Sequence, residues 1–420
     1  MLRNARAALT ASSLQQLINQ GASLAIFLLL ARSLDKTQFG VLNGVLALLL
    51  LAFGILSFGI DQLLVRKAAA GEDPARLLRI GLMHNGIAAA LLYTFLLLAT
   101  AFRPDLPVSA LLVLGAGKSL TFLAQVCKSI VTGQERFRRL LAMSLAANGG
   151  KVIGLFWLSL YGPLLWRDVL IVFLVSDALE ALSCFRAFRD EPRKSVRNSR
   201  MKYRSLLREA LPQLGTVVFA AALARFDWLY LGAVTNAKTL AEYSFAYKAF
   251  ELAQLPLLII APLLVPRFTR LLQTGAGAKG LRLLRQTELL IALLTVVAIN
   301  ASWVPVANWA SNGKYGIACR GTVLWLSLAL PVLYYNNYLW SLLFAQGRTA
   351  LIFRVFAASF SVNVIGNVLL VPVFQKEGAA MAFTGALLLQ TIVYHWKAHP
   401  HWRITFAGQQ ATSTPRARIY

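Results

Sequence analysis

The chain has 420 residues, of which 58% are hydrophobic and only 14% are charged. Soluble globular domains contain about 25% charged residues, so this composition excludes a set of water-soluble domains. The 42 lysines and arginines outnumber the 17 acidic residues and give a formal net charge of +25. Three cysteines make no disulfide framework. The composition predicts a polytopic membrane protein.

Apolar runs long enough to cross a bilayer follow one another along the chain. A hydrocarbon core of about 30 Å needs about 20 apolar residues in helical conformation. In the first half of the chain these runs lie at 11–31, 39–64, 79–102, 107–131, 139–161 and 167–187. In the second half they lie at 210–233, 241–266, 286–309, 318–344, 351–373 and 378–397. We therefore predict twelve transmembrane helices, numbered here as spans 1 to 12.

The first span follows Arg3 and Arg6 and so resembles a signal peptide. No small-residue cleavage site leads from it into a soluble domain, and we interpret it as a retained anchor. If the N-terminus lies in the cytoplasm, 29 of the 42 lysines and arginines fall on cytoplasmic segments and eight on outside loops. The positive-inside rule expects this asymmetry when both termini are cytoplasmic. The net charge is thus explained by topology, and no nucleic acid partner is expected.

A long basic stretch divides the spans into two sets of six. The predicted boundaries are an N-terminal six-helix bundle at 1–187, a basic cytoplasmic linker at 188–208, a C-terminal six-helix bundle at 209–398 and a cytoplasmic tail at 399–420. Val152-Ile153-Gly154 recurs 212 residues later as Val364-Ile365-Gly366. Six spans in each half give both halves the same orientation, as in a parallel repeat. The predicted fold class is an all-α polytopic membrane protein of twelve helices in two six-helix halves around a central cavity.

Several spans carry polar residues at helical spacing, so that each forms a stripe on one helix face. The stripes are Ser12, Gln16, Asn19 and Ser23 in span 1; Lys118, Thr121, Gln125 and Lys128 in span 4; Ser144, Asn148 and Lys151 in span 5; and Ser359, Asn363 and Asn367 in span 11. A central aqueous cavity accounts for these faces. The alternative is that the neutral groups form hydrogen bonds between packed helices.

Charged residues inside spans are candidates for function because each costs about 2.5–3.5 kcal/mol at the bilayer centre on insertion scales. The candidates for a substrate cavity are Lys118, Lys151, Arg225, Asp227, Lys248 and Asn363. A cationic cavity suits an anionic cargo, because arginine offers phosphate a bidentate fork and lysine offers a mobile point charge. The candidates for binding a coupling ion are Asp61, Asp177, Asp227 and Glu251, which can alternatively pair with lysines.

No pattern of residues typical of catalysis or of metal binding is found. The four histidines, His84, His395, His399 and His401, lack metal-ligand spacing with acidic residues. The segment GAGKS at 115–119 lies inside an apolar run and lacks the spacing of a full phosphate-binding loop. No outside loop exceeds about a dozen residues, whereas an enzyme acting there would need a larger folded loop. We expect neither an enzyme nor a cofactor.

An aromatic and amide-rich segment of span 10 consists of Tyr334, Tyr335, Asn336, Asn337 and Tyr338. It offers stacking faces and amides suited to sugars. Alternatively, it belongs to the aromatic belt found at membrane interfaces.

Three segments resemble bacterial polysaccharide flippases. LARSLDKTQFGVLNGVLALLLLAFGILSFGIDQLLVR (30–66) resembles their first hairpin, and RFDWLYLGAVTNAKTLAEYSFAYKAFE (225–251) resembles their seventh and eighth spans. GNVLLVPVFQKEGAAMA (366–382) is similar to their span 11–12 junction, although it lacks the aromatic residue common in that turn. The chain is identified as a member of the polysaccharide transporter branch, the Wzx-type O-antigen flippases. This branch belongs to the multidrug/oligosaccharidyl-lipid/polysaccharide (MOP) exporter superfamily.

The resemblance implies a flippase of the bacterial inner membrane. It would move undecaprenyl-pyrophosphate-linked oligosaccharide, such as an O-antigen or other surface polysaccharide repeat unit, from the cytoplasmic to the periplasmic leaflet by alternating access. Its expected partners are this lipid-linked oligosaccharide, membrane lipids, a polysaccharide polymerase and a chain-length regulator.

Three alternatives to this function remain open. A cation-coupled multidrug exporter of the same superfamily would favour an acidic cavity. The lipid II flippase branch usually carries two additional spans. An integral membrane glycan polymerase or ligase would need a larger loop outside the membrane.

Overall fold

A computed structural model describes residues 2–103, 106–189, 203–274 and 278–411. These residues form thirteen α-helices and contain no β-strand, as expected for the all-α class. The helices are α1 (Leu2–Ser33), α2 (Lys36–Leu56), α3 (Ile60–Ala69), α4 (Pro74–Phe102), α5 (Val108–Gly133), α6 (Phe137–Tyr161), α7 (Trp166–Arg189), α8 (Tyr203–Val234), α9 (Ala237–Ala253), α10 (Leu255–Thr274), α11 (Ala278–Ser311), α12 (Arg320–Ala345) and α13 (Thr349–Ala411).

Long apolar helices make the chain a multi-pass membrane protein. Seven segments of the described residues are long and apolar enough to cross a membrane: Lys36–Leu56, Pro74–Phe102, Val108–Gly133, Phe137–Tyr161, Val217–Val234, Gly280–Ser311 and Thr349–Ala398. Large apolar side chains on these helices, among them Leu91, Phe95 and Val297, are more than half exposed. Such surface is unfavourable in water and suits contact with lipid chains. The count of twelve spans and the six-plus-six arrangement stay predictions.

Two predicted spans are interrupted. Span 2 contains the end of α2 at Leu56 and the start of α3 at Ile60, with Phe58 and Gly59 at φ of 55° and 74° between them. Span 8 contains the end of α9 and the start of α10, and Pro256 follows the junction directly. A proline has no backbone N–H to continue the helical hydrogen bonds, which explains the second break. Nothing in the sequence predicted the interruption of span 2, whereas Pro256, Pro262 and Pro266 in span 8 predict a kink or hinge in that helix, with packing alone as the alternative.

Helix breaks leave backbone carbonyls without intrahelical partners, and in this chain side chains from other helices satisfy two of them. The Leu56 carbonyl accepts a hydrogen bond from Nε2 of His84 at 2.9 Å. The Ala253 carbonyl accepts one from the Tyr334 hydroxyl at 2.9 Å. Side chains of neighbouring helices therefore stabilise both breaks.

The last long helix folds back on itself. Within α13, Gln375 has non-helical backbone angles (φ 49°, ψ −122°). The segments on either side are in contact, because a Cβ built at Gly366 would lie 2.9 Å from the Cβ of Ala382. Near the turn, a Cβ built at Gly378 would lie only 2.4 Å from the carbonyl oxygen of Leu370. The turn falls between the predicted spans 11 and 12.

The contacts divide the described residues into two compact units. The first unit contains those up to Arg225 together with Ala310–Asn312, and α5 packs against α3, α4 and α7 within it. The second unit contains the remaining described residues from Phe226 onward, and α12 packs against α9, α10 and α13 within it. The boundary lies inside α8, and the predicted linker at 188–208 falls partly outside the described residues. The sequence-based domain limits stay predictions.

Candidate functional site

A buried carboxylate holds two lysines together in the first unit. Asp177 on α7 is fully buried. Its Oδ2 accepts a hydrogen bond from Lys118 Nζ of α5 at 3.0 Å, and its Oδ1 accepts one from Lys151 Nζ of α6. The Lys118 side chain is 17% exposed and that of Lys151 is 8% exposed. Two positive charges therefore share one negative charge, and Lys118 is the more accessible of the two.

A second ion pair extends this cluster along the same helices. Glu180 follows Asp177 by three residues on α7, and its Oε1 accepts a hydrogen bond from Lys128 Nζ of α5. Glu180 is 5% exposed. We call Lys118, Lys128, Lys151, Asp177 and Glu180 the lysine cluster. Three lysines and two carboxylates leave a formal excess of one positive charge.

Glycines allow the close helix contacts at the lysine cluster. A Cβ built at Gly117 would lie 2.9 Å from Asp177 Oδ2, and one built at Gly150 would lie 3.0 Å from Ser176 Oγ. Small residues of this kind let membrane helices approach closely. The segment 115–119, which looked like half of a phosphate-binding loop, is thus part of the regular helix α5, where Gly117 makes room for Asp177.

A pocket of about 390 Å³ borders the lysine cluster. It is lined by Asn19, Leu49, Leu50, Phe53, Lys118, Thr121, Phe122, Gln125, Lys128, Ser144, Ala147, Asn148, Lys151 and Glu180. The polar stripes predicted in spans 4 and 5 meet here with Asn19 of span 1, whereas the side chains of Ser12 and Gln16 lie outside the described residues. Asn148 Nδ2 donates to Asn19 Oδ1 at 3.1 Å, which is the interhelical bonding that the alternative interpretation expected. The remaining cations, amides and hydroxyls can bind an anion carrying hydroxyl groups.

The candidates in the second unit are held by their own neighbours. Asp227 is fully buried and accepts a hydrogen bond from the Tyr243 hydroxyl. Lys248 Nζ lies 3.0 Å from Glu251 Oε2, the i, i+3 pair that the sequence allowed. Asn363 is fully buried, and its amide nitrogen has no hydrogen-bond partner among the described residues.

Two further candidates lie in the first unit outside the pocket. Arg225 stands at the boundary between the units, and its guanidinium donates to the Ala224 carbonyl at 3.4 Å. Asp61 lies in the first turn of α3, where its Oδ1 is buried with no hydrogen-bond partner in the described part of the chain. Neither residue lines the pocket beside the lysine cluster.

The structure shows how charges inside the spans are matched. Asp177 pairs with Lys118 and Lys151, which is the alternative to ion binding that the sequence left open, and Glu180 pairs with Lys128. Tyr334 and Tyr338 are fully buried in the second unit, so they form neither an interfacial belt nor an open stacking surface. Glu288 was missed altogether, although an acidic residue in an apolar run was a visible signal.

Comparison with known proteins gives a family match and a shared fold. A family model described as "Polysaccharide biosynthesis protein" matches residues 6–272. No curated protein sequence matches the chain. An inward-facing multidrug resistance MATE family transporter of the MOP superfamily is 14% identical with a TM-score of 0.74, covering 95% of this chain and 99% of that chain.

Two further solved structures have the same fold. The lipid II flippase MurJ in an inward closed conformation is 14% identical with a TM-score of 0.72, covering 92% of this chain and 87% of that chain. A MOP superfamily transporter from Pyrococcus furiosus, for which a binding pocket of reverse polarity suggests a different function, is 15% identical with a TM-score of 0.65, covering 95% of this chain and 96% of that chain. At these identities the likeness establishes the fold, which is that of MOP superfamily transporters.

Proposed function

Because the chain belongs to the polysaccharide biosynthesis protein family, we propose that it is a flippase for a lipid-linked oligosaccharide. The cargo is an undecaprenyl-pyrophosphate-linked repeat unit of a surface polysaccharide such as O-antigen. It crosses the bacterial inner membrane from the cytoplasmic to the periplasmic leaflet by alternating access. Both termini of the transporter lie in the cytoplasm. A polysaccharide polymerase and a chain-length regulator are the partners that would use the delivered repeat unit.

The excess positive charge of the lysine cluster carries this proposal. A pyrophosphate is anionic, and hydrogen bonds between lysine and phosphate oxygens are charge-assisted. The amides and hydroxyls of the same pocket suit sugar hydroxyl groups. The polyprenyl tail stays in the bilayer, because each methylene taken from hydrocarbon to water costs about 0.8 kcal/mol.

The two lysines on Asp177 have different exposures and, we infer, different roles. Lys118 is the more exposed, so it can contact a phosphate oxygen in the pocket. Lys151 is more deeply buried and keeps Asp177 neutralised when Lys118 turns to the cargo. Binding therefore uses the surplus charge without leaving the buried carboxylate unpaired, which would be costly.

The second candidate function is multidrug export, which the fold likeness to a MATE family transporter favours. A cationic drug would meet three lysines against two carboxylates in this pocket and would be repelled. A cargo of opposite charge fits the pocket better.

Lys118→Gln tests the proposed function in a strain that lacks the chromosomal copy. We expect surface polysaccharide to fall about tenfold or more, since a hydrogen bond to a charged group contributes about 1.5–3 kcal/mol. Lipid-linked repeat units should accumulate on the cytoplasmic side. The measurement is surface polymer by immunoblot together with extraction of the lipid-linked intermediates.

Lys238→Gln is the matched control, because Lys238 is exposed and outside the pocket. It should leave surface polymer at the wild-type level when both variants are equally abundant in the membrane. Normal polymer in the Lys118→Gln strain would contradict the assigned role of Lys118. If deleting the gene left polymer intact and raised susceptibility to toxic cations, drug export would replace the proposed function.

A further inference from the structure

Glu288 is a buried carboxyl in the second unit without a hydrogen-bond partner among the residues that the structure describes. It lies on α11, within the apolar segment Gly280–Ser311, and is only 1% exposed. Among the described residues, neither of its carboxylate oxygens has a hydrogen-bond partner. Asp177, Asp227 and Glu251 differ, because each accepts a hydrogen bond from another side chain, and Asp61 has one such unpartnered oxygen where Glu288 has two.

The titratable groups around Glu288 come from α11 and α12. On α11, Arg282 and Arg285 precede it by two turns and by one turn. The Arg285 guanidinium lies over the ring of Tyr338, 6.0 Å from its centroid. On α12, Tyr334 and Tyr338 lie close enough to Glu288 for its charge to act on them. In the described part of the chain, neither arginine donates a hydrogen bond to the carboxylate.

An apolar cluster that adjoins a broken helix lies next to Glu288 along α11. One turn after Glu288, Ala292 packs with Leu257 of α10 and with Tyr334 in a buried cluster. The Tyr334 hydroxyl is hydrogen-bonded to the Ala253 carbonyl, at the break between α9 and α10. Glu288 is therefore one helical turn from Ala292, which packs against Tyr334. The Tyr334 hydroxyl in turn hydrogen-bonds the free backbone carbonyl at the break.

An ionised carboxylate at this position is strongly unfavourable, because burial removes water without supplying a counter-ion or donors. Binding one proton to a carboxylate oxygen removes the charge and most of this penalty. When that proton is lost, the carboxylate needs hydrogen-bond donors. The hydroxyl of Tyr334 on α12 can act as such a donor. If that hydroxyl turns toward the carboxylate, the Ala253 carbonyl loses its partner at the break. In many transporters, discontinuous helices of this kind form the binding sites for substrate and coupling ion.

We propose that Glu288 is a proton-binding site, and that gain and loss of its proton switch the contact between Tyr334 and the break between α9 and α10. Only one part of this inference rests on the proposed function, namely that the proton drives transport. The proton-binding site itself does not depend on it. It adds a site in the second unit to the cargo pocket in the first.

Infrared spectroscopy of the purified protein tests the proton site without any transport assay. At neutral pH the wild type should show the C=O stretch of a protonated carboxyl, and Glu288→Gln should lose that band. Glu135→Gln is the control, because Glu135 is exposed on a turn and its loss should leave the band unchanged. A spectrum that Glu288→Gln does not alter would overturn the proposal. A band that appears only when Na⁺ is removed would assign the site to Na⁺ and would also overturn it.

Reconstituted vesicles test the switch. Wild-type protein should flip lipid-linked oligosaccharide faster when a proton gradient is imposed, and Glu288→Gln should lose this stimulation. Tyr334→Phe should keep the infrared band and also lose the stimulation, which a merely structural role of the hydroxyl would not produce. Full stimulation in both variants would overturn the switch. If the wild type flips no such cargo while its infrared band depends on Glu288, the proposed function fails and the proton site stands.

Discussion

Asp177→Asn should destabilise the protein by about 3–5 kcal/mol, the usual cost of breaking a buried ion pair by removing one partner. The change leaves Lys118 and Lys151 without the carboxylate that they share, and Lys151 is the more buried of the two. The amide that replaces the carboxylate has nearly the same volume, so the loss reflects charge rather than packing. Thermal unfolding of the purified protein in detergent measures the effect.

A second substitution should rescue much of this loss. The double variant Asp177→Asn/Lys151→Met also removes the positive charge of Lys151, which Asp177→Asn alone leaves buried without a counter-ion. Replacing both members of a buried ion pair by neutral residues is often tolerated. The double variant should therefore be more stable than Asp177→Asn alone. Strictly additive effects would contradict a direct interaction between the two side chains. Asp168→Asn, in the first turn of the same helix, is the control and should cost no more than about 1 kcal/mol.

Gly378→Ala should destabilise the C-terminal hairpin by about 1–3 kcal/mol, the range for overpacking a close contact. The added methyl group would lie 2.4 Å from the carbonyl oxygen of Leu370 and 2.6 Å from its carbonyl carbon. Backbone atoms cannot move aside as the end of a flexible side chain can, so the two segments of α13 must separate. The melting temperature in detergent, compared with that of the wild type, reports the effect.

Gly385→Ala provides a matched control on the same helix. A Cβ built at Gly385 meets no atom within 4 Å. Alanine is a better helix former than glycine by about 0.8–1.0 kcal/mol, so this variant should be as stable as the wild type or slightly more stable. Equal melting temperatures for the two variants would show that Gly378 does not sit in a tight contact.

Local patterns in the sequence predicted much of the fold. The all-α class and the multi-pass membrane character follow from hydropathy. The polysaccharide biosynthesis protein family is confirmed, and the chain shares its fold with transporters such as MATE and MurJ. Helical spacing also placed Lys118 and Lys128 on one face and Ser144, Asn148 and Lys151 on another, and these faces line one pocket. Such predictions succeed because periodicity and hydropathy depend only on residues close together in the chain.

The interruptions of the helices were not predictable in the same way. A hydropathy window averages over a break of one to three residues and so did not reveal the one at Phe58, and Pro256 beside Gln254 indicated only a kink or hinge. The carbonyls at these breaks find donors on distant helices, His84 for Leu56 and Tyr334 for Ala253. A break of this kind is stable only because the tertiary structure supplies these donors.

By itself, the sequence determined that this chain is a helical membrane protein, to which family it belongs and which helix faces are polar. Only the tertiary structure decided how the charges are matched: Asp177 lies 59 residues from Lys118 and 26 from Lys151, yet it pairs with both. The same holds for Glu288, whose burial without a hydrogen-bond partner among the described residues no local pattern predicted. The physical reason is that electrostatic partners are set by distance in space, which helix packing determines and local spacing does not.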